Sequence, residues 1–227
     1  MAASSSSTPT SIPPGSLLEA TASTLPWCQV WLRHGEKSHD NGKATDITGY
    51  SHDPELTDTG CQQIHHQTIY LLERFAPPEQ ITCSPFLRCR QSALVMQNAI
   101  ASITGVVVPI VTDRWIGEYL GNHPHLQLEG AVSPQTLESE PLVRETLISF
   151  KKKRIPNIVR HNPYQNHWYV THGIVVDHLI SHWQPANTVP PPKKYIRTPT
   201  GSGFTLVNSH GASGKVNHSV TILKQRY

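Results

Sequence analysis

Three places in the chain set residues of the right type for phosphoryl chemistry beside one another. Arg33-His34-Gly35-Glu36 follows the apolar run Val30-Trp31-Leu32, and Thr171-His172-Gly173 follows a similar run, Trp168-Tyr169-Val170. Arg88 stands in Cys83-Ser84-Pro85-Phe86-Leu87-Arg88-Cys89-Arg90, just ahead of a helical pattern. A neutral imidazole nitrogen can attack phosphorus, and a guanidinium fork holds phosphate oxygens in a fixed geometry. An arginine near a helix N-terminus adds to the anion attraction already present there. Taken alone, Arg-His-Gly-Glu also fits a strand end with a capping arginine and a solvated histidine. Two histidines and two arginines on several strand ends of one sheet make a more specific signal.

The elements that must position these residues can be read from periodicity. Gln29 to Arg33 reads as a buried strand, since β-branched and aromatic residues run without alternation. A polar loop follows from Lys37 to Glu55, long enough to be functional or mobile. Thr57 is a good N-cap for a helix with apolar residues at Ile64, Ile69, Leu71, Leu72 and Phe75, ending before Pro77-Pro78. Gln80–Cys83 is a second strand, Arg88 to Ile103 a second helix stopped by Gly105, and Val106 to Val111 a third strand. Asp113 to Gly130 is a loop holding Glu118, His123 and His125. The pattern from Pro134 to Arg154 predicts a helix, His167–Thr171 a fourth strand and Ile174 to Trp183 a further helix. Beyond Pro190-Pro191-Pro192, two more strands are expected at Phe204 to Val207 and Val216 to Leu223. Alternation of strands and helices at this spacing predicts an α/β fold with a parallel sheet and crossover helices. Such sheets place ligands at the carboxyl ends of their strands.

Length and composition bound the reading. The 227 residues suffice for one domain, expected over 25–227, after a Ser/Pro-rich tail at 1–24 too poor in large apolar side chains to offset its ordering entropy. No run of about 18 apolar residues occurs, so no membrane span is expected. The start lacks a basic and then apolar leader pattern, and no Arg precedes Arg33, which disfavours a secretory or transit peptide. Four cysteines without a Cys-x-x-Cys pair read as reduced thiols, giving an expected cytoplasmic location with the nucleus as the alternative. The formal charge of +3 slightly favours anionic ligands.

With these pieces in hand, the sequence resembles the histidine phosphatase superfamily, also called phosphoglycerate mutase-like. The matching pieces are Arg33-His34-Gly35-Glu36, Leu56-Thr57-x-x-Gly60, Ser84-Pro85-x-x-Arg88-x-x-Gln91-Ser92-Ala93, Glu118 and Thr171-His172-Gly173. They span about Trp27 to Trp183. Within the family, Asp53-Pro54-x-Leu56-Thr57 and Cys83-Ser84-Pro85-x-Leu87-Arg88-Cys89 look like the phosphatase domain of the ubiquitin-associated and SH3 domain-containing proteins. The resemblance implies a three-layer α/β/α sandwich with a mostly parallel central sheet. It also implies a hydrolase for phosphomonoesters that works through a phosphohistidine intermediate. His34 would be the nucleophile, while Arg33, Arg88 and His172 would hold the phosphoryl oxygens. Glu118 would be the acid and then the base, with Glu36 as the second candidate. Arg88 is preferred to its rival Arg90 because it falls on the family's arginine, and His123 is a candidate substrate contact. No metal and no cofactor would be needed. The expected partner is a phosphorylated small molecule or phosphoprotein, with a homodimer left open; nucleic acid and membranes are disfavoured.

Two positions depart from the family pattern. Lys37 and Asp40 stand where members often have Thr or Ser and then Asn, and an extra carboxylate near a phosphate repels it unless a cation compensates. Gly173-Ile174 lacks the acid that the acid-phosphatase branch carries there. The Ser-x-Trp-Asn of the glycolytic mutases is missing too, so phosphatase is the stronger reading. The rival is a phosphate-binding module of the same fold with weak or no catalysis. Metal-dependent hydrolysis would rest only on the fourteen histidines, of which His178 and His182 lie four apart without a carboxylate motif. Lys151-Lys152-Lys153-Arg154 reads as a solvated last turn of the helix from Pro134, where cations suit the dipole, rather than as a nucleic-acid patch.

Overall fold

Strand β1, Gln29–Arg33, is buried along nearly its whole length and stands near the middle of the sheet. The structure, a computed structural model, describes residues 28–38, 54–118, 146–162, 165–183, 198–210 and 216–225. Its remaining elements are α1 (Asp58–Leu72), β2 (Gln80–Cys83), α2 (Leu87–Thr104), β3 (Ile110–Thr112), a 3-10 turn at Arg114–Ile116, α3 (residues 147–161), β4 (His167–Thr171), α4 (Gly173–Trp183), β5 (Gly203–His210) and β6 (Val216–Leu223).

Six strands among the described residues form one sheet in the order β3-β2-β4-β1-β5-β6. The first four are parallel to one another, and β5 and β6 run antiparallel to their neighbours. Side chains alternate across the sheet, and this sorts the core into two halves. Val30, Leu32, Trp168 and Val170 face Ile64 and Leu71 of α1 and Ala93, Met96 and Ile100 of α2. Trp31, Tyr169 and Phe204 face Phe150, Ile155 and Ile158 of α3 and Val175, Val176 and Leu179 of α4. On this second face Trp31 and Tyr169 stack with ring centroids 3.9 Å apart. The result is the α/β/α sandwich with a mostly parallel central sheet. The helix after β1 packs on one face and the helix after β4 on the other. The chain therefore leaves the carboxyl ends of these two adjacent strands toward opposite faces, the place where such sheets form a crevice.

Three expectations need correction. The run Val106 to Val111 is not all strand; only Ile110–Thr112 pairs, with β2. Gly105, at φ 74°, ends α2, and the chain needs 106–109 to cross from helix end to sheet edge, with Val106 and Val107 exposed and Val108 buried on the way. The helix expected to end at Arg154 continues to His161; its part before residue 146 lies outside the described residues. Phe150–Arg154 forms a π-helical stretch in which Ile155 N–H donates to Phe150 O, and Pro156 is tolerated in the turn that follows. The basic run is accordingly mid-helix: Lys151, Lys152 and Lys153 are exposed, but Arg154 is buried. The tail at 1–24, most of the loop from Lys37 to Glu55, Asp40, His123, His125 and the triple proline lie outside the described residues.

Candidate active site

In the parallel pairing of β1 with β4, Arg33 is opposite Thr171. The next residue of each strand, His34 and His172, therefore emerges beside the other at the crevice. Their rings lie 5.5 Å apart, centroid to centroid, and both are buried. His34 N–H donates to Thr171 O (2.9 Å), which extends the ladder by one bond and fixes the turn.

Tight glycine contacts hold this turn against α1. A Cβ on Gly35 would lie 2.3 Å from Gly60 O, and one on Gly60 would lie 2.1 Å from Glu36 O. Only glycine at both places lets the backbone after β1 approach the first turn of α1. Thr57 caps that turn as expected, accepting from Gly60 N–H (3.0 Å).

Arg88 stands in the first turn of α2, fully enclosed, and its guanidinium is the hub of the site. Its Nε–H donates to His34 Nε2 (3.2 Å), and Nη2–H donates both to His172 Nδ1 (3.2 Å) and to the carboxylate of Glu118. The Arg88 guanidinium also lies 4.5 Å from the Phe86 ring centroid. Glu118 Oε2 is 3.5 Å from His172 Nδ1. The carboxylate is partly exposed while Arg88 is not, so Glu118 forms the solvent side of the cluster.

These partners fix both tautomers. His34 Nδ1 lies 2.7 Å from Gly35 O, which can only accept, so Nδ1 carries the proton and Nε2 presents its lone pair. His172 Nδ1 accepts from Arg88, so its proton is on Nε2 and donates to Ser84 Oγ (2.9 Å). Both rings are held neutral. Burial pushes His34 well below the ordinary 6.5, and the charges of Arg88, Arg33 and Lys37 push the same way, against the bond to Gly35. Burial acts likewise on His172, followed by the charges of Arg88, Arg154 and Arg33 and by His34. A neutral, oriented imidazole with an unprotonated Nε2 is the form able to attack.

Arg33 Nη1–H donates to Thr198 O (2.7 Å), and Thr198 is in turn held by Asp177 of α4, which accepts from Thr198 N–H (3.1 Å) and from its hydroxyl. Glu36 is placed elsewhere: its carboxylate accepts from Thr57 Oγ1 (3.0 Å) at the start of α1. Arg90 is exposed, two residues along the helix from the buried Arg88. The structure thus joins His34, Arg88, Glu118 and His172 in one hydrogen-bonded cluster, with Arg33 alongside, and leaves Glu36 and Arg90 outside it. Ser84 was quoted in a sequence motif without a role, and its bond to His172 supplies one. Thr198 and Asp177 carried no sequence signal, because they meet only through folding. Among the described residues no group of three His, Cys, Asp or Glu is arranged to hold a metal ion.

The family model described as histidine phosphatase superfamily (branch 1) matches residues 30–193. The chain belongs to the histidine phosphatase superfamily. No curated protein sequence matches it. Among solved structures, this superfamily member is similar to mycobacterial hydrolase 1, with a TM-score of 0.55 and 16% identity over 88% of this chain and 100% of the other. Mycobacterial hydrolase 2 gives a TM-score of 0.54 at 17% identity, covering 88% and 91% of the two chains. A mycobacterial glucosyl-3-phosphoglycerate phosphatase in complex with VO3 gives 0.53 at 17%, covering 88% and 100%. At such identities these likenesses show a shared fold.

Proposed function

We propose that this histidine phosphatase superfamily member is a metal-independent phosphomonoesterase that works through a phosphohistidine on His34. The observation that carries the reading is Arg88, whose one guanidinium touches the candidate nucleophile, the second histidine and the candidate acid at once. An entering phosphate takes over the donors of Arg88 and Arg33 and separates Arg88 from Glu118. The freed Nε2 lone pair of His34 then forms the N–P bond while the P–O bond to the leaving group breaks. Glu118 is the group placed to give a proton to the leaving oxygen. In the second half the Glu118 carboxylate takes a proton from water, the water oxygen bonds to phosphorus, and the N–P bond breaks. The fixed guanidinium donors of Arg88 and Arg33 stabilise the charge that builds on the phosphoryl oxygens, the role a metal has in other phosphatases.

Phosphatase is favoured over mutase because the Ser-x-Trp-Asn that the glycolytic mutases carry after their His-Gly does not occur in this sequence. The motif likeness to the phosphatase domain of the ubiquitin-associated and SH3 domain-containing proteins supports a phosphotyrosine protein or a small phosphometabolite as substrate. The test is turnover of p-nitrophenyl phosphate with EDTA present, for wild type and His34→Ala. Wild type is expected to turn over and His34→Ala to lose about three orders of magnitude or more. Denaturing the wild type at alkaline pH during turnover should trap a phosphoenzyme that is acid-labile and stable to base. Equal turnover by both proteins overturns the nucleophile. Vanadate binding without turnover in either protein would instead establish a phosphate-binding module.

A further inference from the structure

We propose that Arg154 and Thr171 are positioning residues that clamp the segment before Glu118 and so aim its carboxyl group at the leaving oxygen. The proposal rests on the reading of Glu118 as proton donor. Glu118 follows a single 3-10 turn, Arg114–Ile116, and a carboxyl group on so short a turn needs anchoring to act at a fixed point. The turn itself is closed by Asp113, which accepts from Trp115 N–H (2.8 Å), and by Gly117 N–H donating to Arg114 O (3.0 Å). These bonds shape the turn but do not tie it to the site.

Asp113 N–H donates to Cys83 O (2.9 Å) and ties the start of the turn to β2, but the end next to Glu118 is tied by two buried side chains on two other elements. Thr171, the last residue of β4, donates its hydroxyl to Ile116 O. Arg154, the last residue of the π-helical stretch, donates Nη1–H to Gly117 O (3.2 Å). The carbonyls of the two residues immediately before Glu118 are thus each held by a separate donor. Thr171 is adjacent in sequence to His172, so the same strand end fixes the acid's segment and the second histidine. Arg154 lies 4.4 Å from the Phe150 ring centroid and is enclosed, while the three lysines before it face outward. The π-helical stretch is what turns this last basic residue of the run inward. Single π turns of this kind often occur where a side chain serves a site. Arg154 also adds to the charge that keeps His172 neutral, which places it electrostatically within reach of the phosphoryl pocket.

A misplaced acid should be felt only by substrates that need it. A nitrophenolate leaves without protonation, whereas an alkoxide does not, so the ratio of kcat/KM for an alkyl phosphate to that for p-nitrophenyl phosphate reports the acid. The experiment measures this ratio for full-length wild type, Thr171→Val, Arg154→Met, Arg154→Lys and Glu118→Gln, with thermal melts of each. Glu118→Gln is expected to lower the ratio about 10²-fold. Thr171→Val and Arg154→Met are expected to lower it roughly tenfold, part of the acid's whole contribution, and Arg154→Lys less. If Glu118→Gln leaves the ratio at the wild-type value, the assignment of the acid fails and the clamp fails with it. If Glu118→Gln lowers the ratio while Thr171→Val lowers both substrates in parallel, the acid stands and the clamp is overturned. Thr171→Val keeps shape and β-branching, so it decides the matter even where Arg154→Met does not fold.

Discussion

At the scale of single residues, the site depends on the planar fork of Arg88 rather than on positive charge alone. Three acceptors on three elements are met by Nε–H and Nη2–H of one group. A lysine at this position keeps the charge but presents a single point, and cannot span His34, His172 and Glu118 together. Arg88→Lys is therefore expected to lower kcat/KM on an aryl phosphate by about 10²-fold or more, the size of effect seen when a preorganised donor is lost. Arg90→Ala, an exposed substitution two residues away, is expected to change it by less than about threefold. Steady-state kinetics of the two variants side by side check the assignment. Reversed effects would transfer the role to Arg90.

At the scale of elements, the close contact between the turn after β1 and the start of α1 is what brings the loop of the candidate nucleophile into register. Gly35→Ala sets a methyl group 2.3 Å from the Gly60 carbonyl oxygen, where the obstacle is backbone and cannot rotate away. The expected cost is about 3 kcal/mol, at the upper end of overpacking, together with a loss of activity as His34 shifts. Urea unfolding of the variant measures it, and a change under about 0.5 kcal/mol would show that the two segments separate freely. This contact was foreshadowed in the sequence by the two glycines in Arg33-His34-Gly35-Glu36 and Leu56-Thr57-x-x-Gly60. Strands β1 and β4 were legible as well, because a strand buried on both faces reads as a near-continuous apolar run, here Val30-Trp31-Leu32 and Trp168-Tyr169-Val170. Other parts were not legible. The valines at 106 and 107 favour a strand by type, yet the crossing from α2 to the sheet edge leaves them exposed. The lysine run read as a helix end, since nothing in Lys-Lys-Lys-Arg announces a π turn that sends its last member inward. Asp177 and Thr198 lie 21 residues apart and meet only because α4 and the segment before β5 pack together.

At the scale of the whole molecule, the proposed chemistry requires neutral histidines, and the fold supplies them by enclosure, at a cost to stability in acid. His34 and His172 are held well below 6.5 in the folded protein, and the more exposed His167 and His178 are also lowered. A histidine whose folded value lies below its unfolded one binds its proton more readily in the unfolded chain. Unfolding then takes up protons as pH falls through 6.5, so stability is full above that value and declines beneath it. If the two enclosed rings both take part, the slope approaches about 2.7 kcal/mol per pH unit, twice the linkage of a single proton. Carboxylates of ordinary pKa remain ionised above about pH 5, so the window between there and 6.5 belongs to the histidines. Urea unfolding from about pH 8 to pH 5 should show a plateau and then this decline, and His34→Asn/His172→Asn should flatten it. A wild-type curve that stays level to about pH 5 would mean that the rings accept protons inside the fold. The same enclosure lets Nε2 of His34 keep its lone pair in mild acid, so the acidic limb of kcat/KM should lie below 6.5, inside the range where the protein is already losing stability.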